Sequence, residues 1–195
     1  MPFNTGFNTP SISFKVRMPE KGFLLDLFTA QVQSALRNDV KPELREMFYR
    51  TTSTWHTKVF FRGTIRTEKG KYIRLLVMPY GSGSALYNML ARGTRPHEIV
   101  PVNAPALKFR PGYTPATSPG WIGSRQARSS GPMQSRQHVW HPGAEARNWD
   151  IEIAKQYEPR FIGHMKKATK FYVAKQAAAF AKSLLSKKPR PVKRQ

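Results

Sequence analysis

His138 and His141 stand three residues apart and Glu145 follows four later, two imidazoles and a carboxylate of the kind that bind zinc. The stretch carrying the histidines reads as extended, and on a strand residues three apart point to opposite faces. That geometry favours histidines anchoring a turn over chelation. Gly81-Ser82-Gly83, between an apolar run and a helix-forming one, has the small, glycine-spaced form of a phosphate-cradling loop. It lacks a third glycine and a βαβ setting, so a hinge is the expected role. The eleven acids are scattered and none follows Glu158. Glu152 and Glu158 are placed to pair with Lys155 or Arg160 as ordinary solvated contacts. No nucleophile, base and orienting group fall together, and with no cysteine there is no thiol nucleophile, disulfide frame or Cys-bound zinc. The expectation is a protein with no catalytic residue, no metal and no cofactor.

Charge gives the stronger signal. Lys and Arg number 33 against 11 Asp and Glu, a formal +22. Such an excess repels itself unless a polyanion or an acidic partner neutralises it. The C-terminal segment carries Arg160, Lys166, Lys167, Lys170, Lys175, Lys182, Lys187, Lys188, Arg190, Lys193 and Arg194 with no acid among them. Phe161, Met165, Ala168 and Tyr172, continued by Val173, Ala177, Phe180 and Leu184, give the same segment an apolar side. Solvated lysine faces normally mix signs, so phosphates or an acidic protein wall are the expected contacts. Arg125, Arg128 and Arg136 extend that set into residues 112–137. The alanines at 177–179 and the lack of tryptophan nearby weigh against a membrane-surface helix.

The apolar fraction is 39% but aromatics reach 12%, enough for a real core. No apolar run approaches the roughly 20 residues of a membrane span. The opening MPFNTGFNTP has neither a basic n-region nor an apolar h-region, and a soluble, intracellularly made chain is expected.

The elements that must position these residues read as α+β. Residues 1–10 form an arm. Alternation predicts a strand over 11–16, and Leu24, Leu25, Phe28, Val32 and Leu36 predict a helix over 23–40. Pro42 opens a second helix that buries Leu44, Met47 and Phe48 and ends in the Thr/Ser cluster at 51–54. A hairpin is expected over 58–66 and 71–78, turning at 67–70 and stopped by Pro79. Ser84 caps a short helix closed by Gly93 in the left-handed conformation. Short strands follow at 97–100 and 106–109, and extended structure resumes at 138–141. Between them, residues 110–137 form a long Gly/Pro/Ser-rich inserted loop. A long helix covers about 150–185, broken or kinked by Pro159. The organisation expected is thus an arm (1–10), a single α+β domain (11–185) and a basic tail (186–195). Its small antiparallel sheet is packed by N-terminal helices and the long C-terminal one.

Residues 85–109, ALYNMLARGTRPHEIVPVNAPALKF, and 139–149, VWHPGAEARNW, resemble the tail-completion or head–tail joining family of long-tailed phages. The matching positions are Tyr87, Gly93, Thr94, His97, Ile99, Pro101, Ala106, Leu107, Phe109, His141, Pro142 and Gly143. They combine a tyrosine-bearing short helix ending in Gly-Thr, a His-Ile-Pro segment, an Ala-Leu-aromatic strand and a His-Pro-Gly turn. The resemblance implies scaffold roles for these residues and no chemistry. It implies a structural virion protein of the phage neck, a ring-forming homo-oligomer between the portal-side connector and the tail tube, enclosing the genomic DNA. The loop and arm are expected to gain order on assembly, and deletion of residues 112–135 is expected to leave the domain folded but to impair joining of heads to tails. The other reading of the charge is a sequence-nonspecific nucleic-acid-binding protein of ribosomal or nucleoid type.

Overall fold

Strands arise where apolar and polar residues alternate. In the computed structural model, which describes residues 9–18, 25–68 and 71–185, β1 (Ile12–Arg17), β2 (Phe60–Glu68) and β3 (Tyr72–Tyr80) form an antiparallel sheet in the order β1-β3-β2. One face buries Ile12, Phe61, Ile73, Leu75 and Val77, with Phe14, Val16 and Ile65 packed beside them. The hairpin lies further along the chain than alternation predicts: Lys58 and Val59 precede it, and Pro79 lies inside β3, paired with Phe61. Pairing to β1 stops at Val77, so Pro79 sits where β3 has one neighbour and its missing N–H costs little. The turn residues 69 and 70 and the arm residues 1–8 lie outside the described residues, and Pro10 is buried.

Two separate helices are predicted from the N-terminal apolar stripe and Pro42. Instead α1 (Leu25–Ala35), a π-helical turn (Leu36–Val40) and α2 (Lys41–Thr52) continue one into the next. Proline has no N–H to give and crowds the carbonyl four residues back. The wide turn just before Pro42 absorbs both: Lys41 donates its N–H to the Leu36 carbonyl, five residues away. Phe28, Val32, Leu36, Val40, Leu44 and Phe48 stay on one stripe through the turn and cover the inner sheet face.

The short helix α3 (Ser84–Arg92) begins one residue after its cap, which is Gly83; Ser84 is already helical and its hydroxyl bonds back to the Gly81 carbonyl at 2.7 Å. Gly93 ends it with φ +77° and ψ 169°, a positive φ but with extended ψ in place of the left-handed helical conformation.

Pro159 does not break the long helix: α4 runs from Trp149 to Leu185, 37 residues, or about 55 Å at 1.5 Å per residue. Ile153 and Tyr157 before the proline and Phe161, Met165, Ala168 and Tyr172 after it all sit in or against the core, so packing on both sides of the proline offsets its cost to the helix. Phe161 stacks on Phe14 at 4.4 Å between ring centroids, and Tyr172 meets Phe28 edge-on at 5.3 Å. Among the described residues, Tyr172 is the last residue of α4 in the core. Val173 and Ala177 are exposed, which corrects their placement on the buried stripe. Phe180 and Leu184 lie beyond the described side chains.

The largest departure concerns residues 110–137, which are an organised ribbon and no free loop. β4 (His97–Ile99) pairs with β9 (Val139–His141), β5 (Leu107–Phe109) with β8 (Gln134–Arg136), and β6 (Gly112–Thr114) with β7 (Arg128–Ser130), all antiparallel. Together they make a long β-finger closed at its base by a Thr94–Ala144 bridge. Its tip folds back onto the body. The Ser124 hydroxyl bonds the Arg50 carbonyl at 3.2 Å and the Thr54 N–H at 3.2 Å, Thr54 donates its hydroxyl to the Arg125 carbonyl at 2.7 Å, and Ile122 packs on the core. Local composition could not reveal this, because the ribbon joins Thr114 to Arg128 and His97 to His141, partners well separated along the chain. Deleting residues 112–135 would therefore remove the contacts that Ser124, Arg125 and Ile122 make with the body.

Candidate nucleic-acid interface

The inner sheet face takes the apolar residues of each strand, so the alternate residues are left on the outer one. They include five cations, with Leu76 and Met78 of β3 half-buried among them. Lys15, Arg74 and Arg66 face one another across β1, β3 and β2 in a single row. Arg17 lies beyond this row on β1, and Arg62 on β2, while Phe60, Tyr72 and Tyr80 add exposed rings. Arg62 lies over Tyr80 with its guanidinium carbon 4.8 Å from the ring centroid, and the Lys15 ammonium sits 6.0 Å from that of Tyr72. These rings hold the long side chains spread over the face while their charged heads meet water.

One acid interrupts the row. Glu68 accepts from the Arg74 guanidinium at 2.9 Å and lies 3.6 Å from the Lys15 ammonium. The hydrogen bond from Arg74, with the charges of Arg74 and Lys15, holds the Glu68 carboxyl below the usual glutamate range. Against roughly five cations at about 5 Å strand spacing, a single carboxylate leaves the surface positive.

A second cationic surface is the outward side of α4. Lys166, Lys167 and Lys170 are exposed there, opposite the side that meets the core, and Lys175 lies exposed further along. His164 ties this helix to the N-terminal rod, its Nε2 3.3 Å from Glu43 and its Nδ1 3.9 Å from Asp39. Lys182 falls among the side chains not described, and Lys187, Lys188, Arg190, Lys193 and Arg194 lie outside the described residues. On the finger, Arg125, Arg128 and Arg136 are all exposed, and Arg125 also turns one N–H toward the Pro115 carbonyl at 3.5 Å.

The motif residues fall into three places. Tyr87 lies at the centre of the core, its ring 4.8 Å from that of Trp149 and 5.2 Å from that of Phe61. Burial raises its hydroxyl far above the ordinary tyrosine range, so the group stays neutral. Gly93, Thr94, His97, His141, Pro142 and Gly143 meet at the base of the finger. Thr94 and Ala144 exchange backbone hydrogen bonds at 2.8 and 3.1 Å, and the His97 and His141 rings lie 5.2 Å apart across β4 and β9. Gly143 has φ +90°, and a Cβ there would collide with the Thr94 carbonyl, so glycine is required. Leu107 and Phe109 run up the finger on β5; Pro101 lies in the segment that leads to it.

The histidines are turned to structural tasks. His141 Nδ1 accepts the Gly143 N–H at 3.0 Å, anchoring the turn, and His138 Nδ1 lies 2.9 Å from Glu98 on the neighbouring strand. Among the described residues no three ligand side chains converge on one point. Gly81 and Gly83 form the turn into α3, with Gly81 at φ +86°. Among the described residues no helix is long and apolar enough to cross a membrane.

The outer sheet face is absent from the sequence-derived set, although the signal is there: Lys15 and Arg17, Arg62 and Arg66, and Arg74 each occupy the polar phase of an alternating strand. The sequence is equally silent on Arg147, one arginine in a basic chain. The chain matches no family model, no curated protein and no solved structure.

Proposed function

We propose that this protein is a non-catalytic structural subunit that assembles against DNA, of the phage-neck type: a ring-forming tail-completion or head–tail joining protein between connector and tail tube. The observation that carries the DNA contact is the cation row Lys15–Arg74–Arg66 across an open sheet. It tracks phosphates without reading sequence, as a DNA passage requires. Assembly is supported by the finger, which leaves Val102, Met133 and Trp140 in water, Trp140 at 68% exposure. Apolar side chains this exposed on a paired ribbon suit contact with a neighbouring subunit. The motif residues serve this reading as scaffold, fixing the finger to α3 and α4.

A sequence-nonspecific nucleic-acid-binding protein acting as a monomer is the second reading, favoured by the rings of Phe60, Tyr72 and Tyr80 on the same face, which offer stacking surfaces for bases. Native mass spectrometry of the full chain, alone and with the connector and tail-tube proteins of its own particle, separates the two. The neck reading predicts one closed oligomer of defined copy number. A chain that stays monomeric with those proteins and binds only nucleic acid contradicts it.

A further inference from the structure

Where the finger tip folds back, it roofs a cleft of about 1110 Å³ between the tip, the finger base, α3 and the segment after α2. Its walls are mainly apolar, with Trp55, Leu86, Leu90 and Pro142 among them. Into this wall is built Arg147, at 7% exposure the only buried cation among the described residues. Its side chain has a single hydrogen bond, from Nε to the Thr117 hydroxyl at 3.3 Å, and no carboxylate. The one buried acid among the described residues, Asp150, is already taken by Arg92, which grips it with two bonds of 2.7 and 3.2 Å. A guanidinium withdrawn from water without a counter-charge is costly, and the cost is relieved by an anion that reaches it.

We infer that this cleft is a binding site for a carboxylate carried on an apolar peptide segment of a partner protein, with Arg147 as the anchor. A guanidinium fork matches a carboxylate or a phosphate equally well in shape. The surroundings decide between them. The cleft holds one buried cation, and Glu145 stands exposed at its lining, so a singly charged group is matched and a doubly charged phosphate is repelled. Trp55, Leu86 and Leu90 take apolar side chains next to the carboxylate and offer a nucleotide's sugar-phosphate little. An acidic partner also suits a chain of net charge +22. The site goes beyond the DNA contact proposed above and uses none of its residues.

The test uses the full chain and three probes: N-acetyl-leucine, its uncharged amide N-acetyl-leucinamide, and inorganic phosphate. Thermal unfolding and the NMR signal of the Arg147 Nε–H are followed as each is titrated. N-acetyl-leucine should raise the melting temperature saturably and move the Arg147 signal, and the amide should do neither. Arg147→Gln should weaken the carboxylate by about tenfold or more, the worth of a charge-assisted hydrogen bond. Because that variant removes a buried contact to Thr117, Leu86→Glu provides a second check. Leu86 lines the cleft and is 40% exposed on α3, so the substitution sets a negative charge at the mouth without entering the core, and it should abolish carboxylate binding. Phosphate binding as tightly as N-acetyl-leucine, equal binding of the amide, or no saturable response to any probe would each overturn the inference.

Discussion

Replacing Arg62, Arg66 and Arg74 together by glutamine should cut the affinity for duplex DNA by about tenfold or more near 0.1 M salt, and the salt slope should fall by about 0.9 for each phosphate no longer neutralised. Fluorescence anisotropy across a salt series measures both quantities. The three side chains lie on the outer sheet face, so the fold should survive with only small stability changes. Glu68→Gln should act in the opposite sense, releasing Arg74 and Lys15 to phosphate and steepening the slope. Its pH dependence has a definite sign. A carboxyl held below its unfolded value contributes stability above that value, and the contribution is lost as pH falls through the folded one. The same protonation removes the one negative charge beside the cation row, so acid should weaken the Glu68 contacts while favouring DNA. A triple variant with an unaltered slope would move the interface to α4 or the finger.

The second large effect lies in the core. Tyr87→Ala should destabilise the protein by about 3–5 kcal/mol, the usual cost of truncating a buried aromatic. Tyr87 is fully buried among Phe48, Trp55, Phe61 and Trp149, so it joins α2, the sheet, α3 and α4 at one point. Tyr87→Phe should be neutral or stabilising by about 1 kcal/mol. The hydroxyl is buried without a hydrogen-bond partner, and the Thr51 hydroxyl beside it is donated to the Phe48 carbonyl at 2.7 Å. Urea midpoints at constant slope measure both changes. A Tyr87→Phe loss approaching that of the alanine variant would show that the hydroxyl makes a stabilising contact.

The fold was legible where local pattern decides structure. Alternation places β1 and the hairpin, and spacing of Phe28, Val32, Leu36, Leu44 and Phe48 places the stripe that covers the sheet. Proline was the residue whose local rule misled. Pro42 acts through a π turn, Pro79 sits at an edge beyond the reach of β1, and Pro159 is carried by core contacts on both sides. In each case tertiary packing overrides the residue's own preference. The finger was illegible for a different reason. Gly, Pro and Ser mark residues 110–137 as irregular, while the order comes from the pairing of 134–136 with 107–109 and of 128–130 with 112–114, and from docking of Ser124 and Ile122 on the body.

The candidate site divides in the same way. A run of lysines in α4 declares itself because it is contiguous in sequence. The outer sheet face does not, since its cations come from three strands and gather only through the register Lys15↔Arg74↔Arg66. Arg147 has no local signature at all. Its significance comes from burial opposite Thr117 and from Asp150 being claimed by Arg92, two relations that no spacing encodes.

The chain has no cysteine, so one introduced at position 66 is unique and can carry a tethered iron chelate that cuts nearby DNA. The measurement to make is DNA cleavage from that position in the assembled, DNA-filled particle, with a cysteine at Met133 on the exposed finger as the reference. Strong cutting from 66, weak cutting from 133 and incorporation of both variants into particles is the predicted result. A chain that never enters the particle, or one that enters it and leaves the DNA uncut from position 66, contradicts the account.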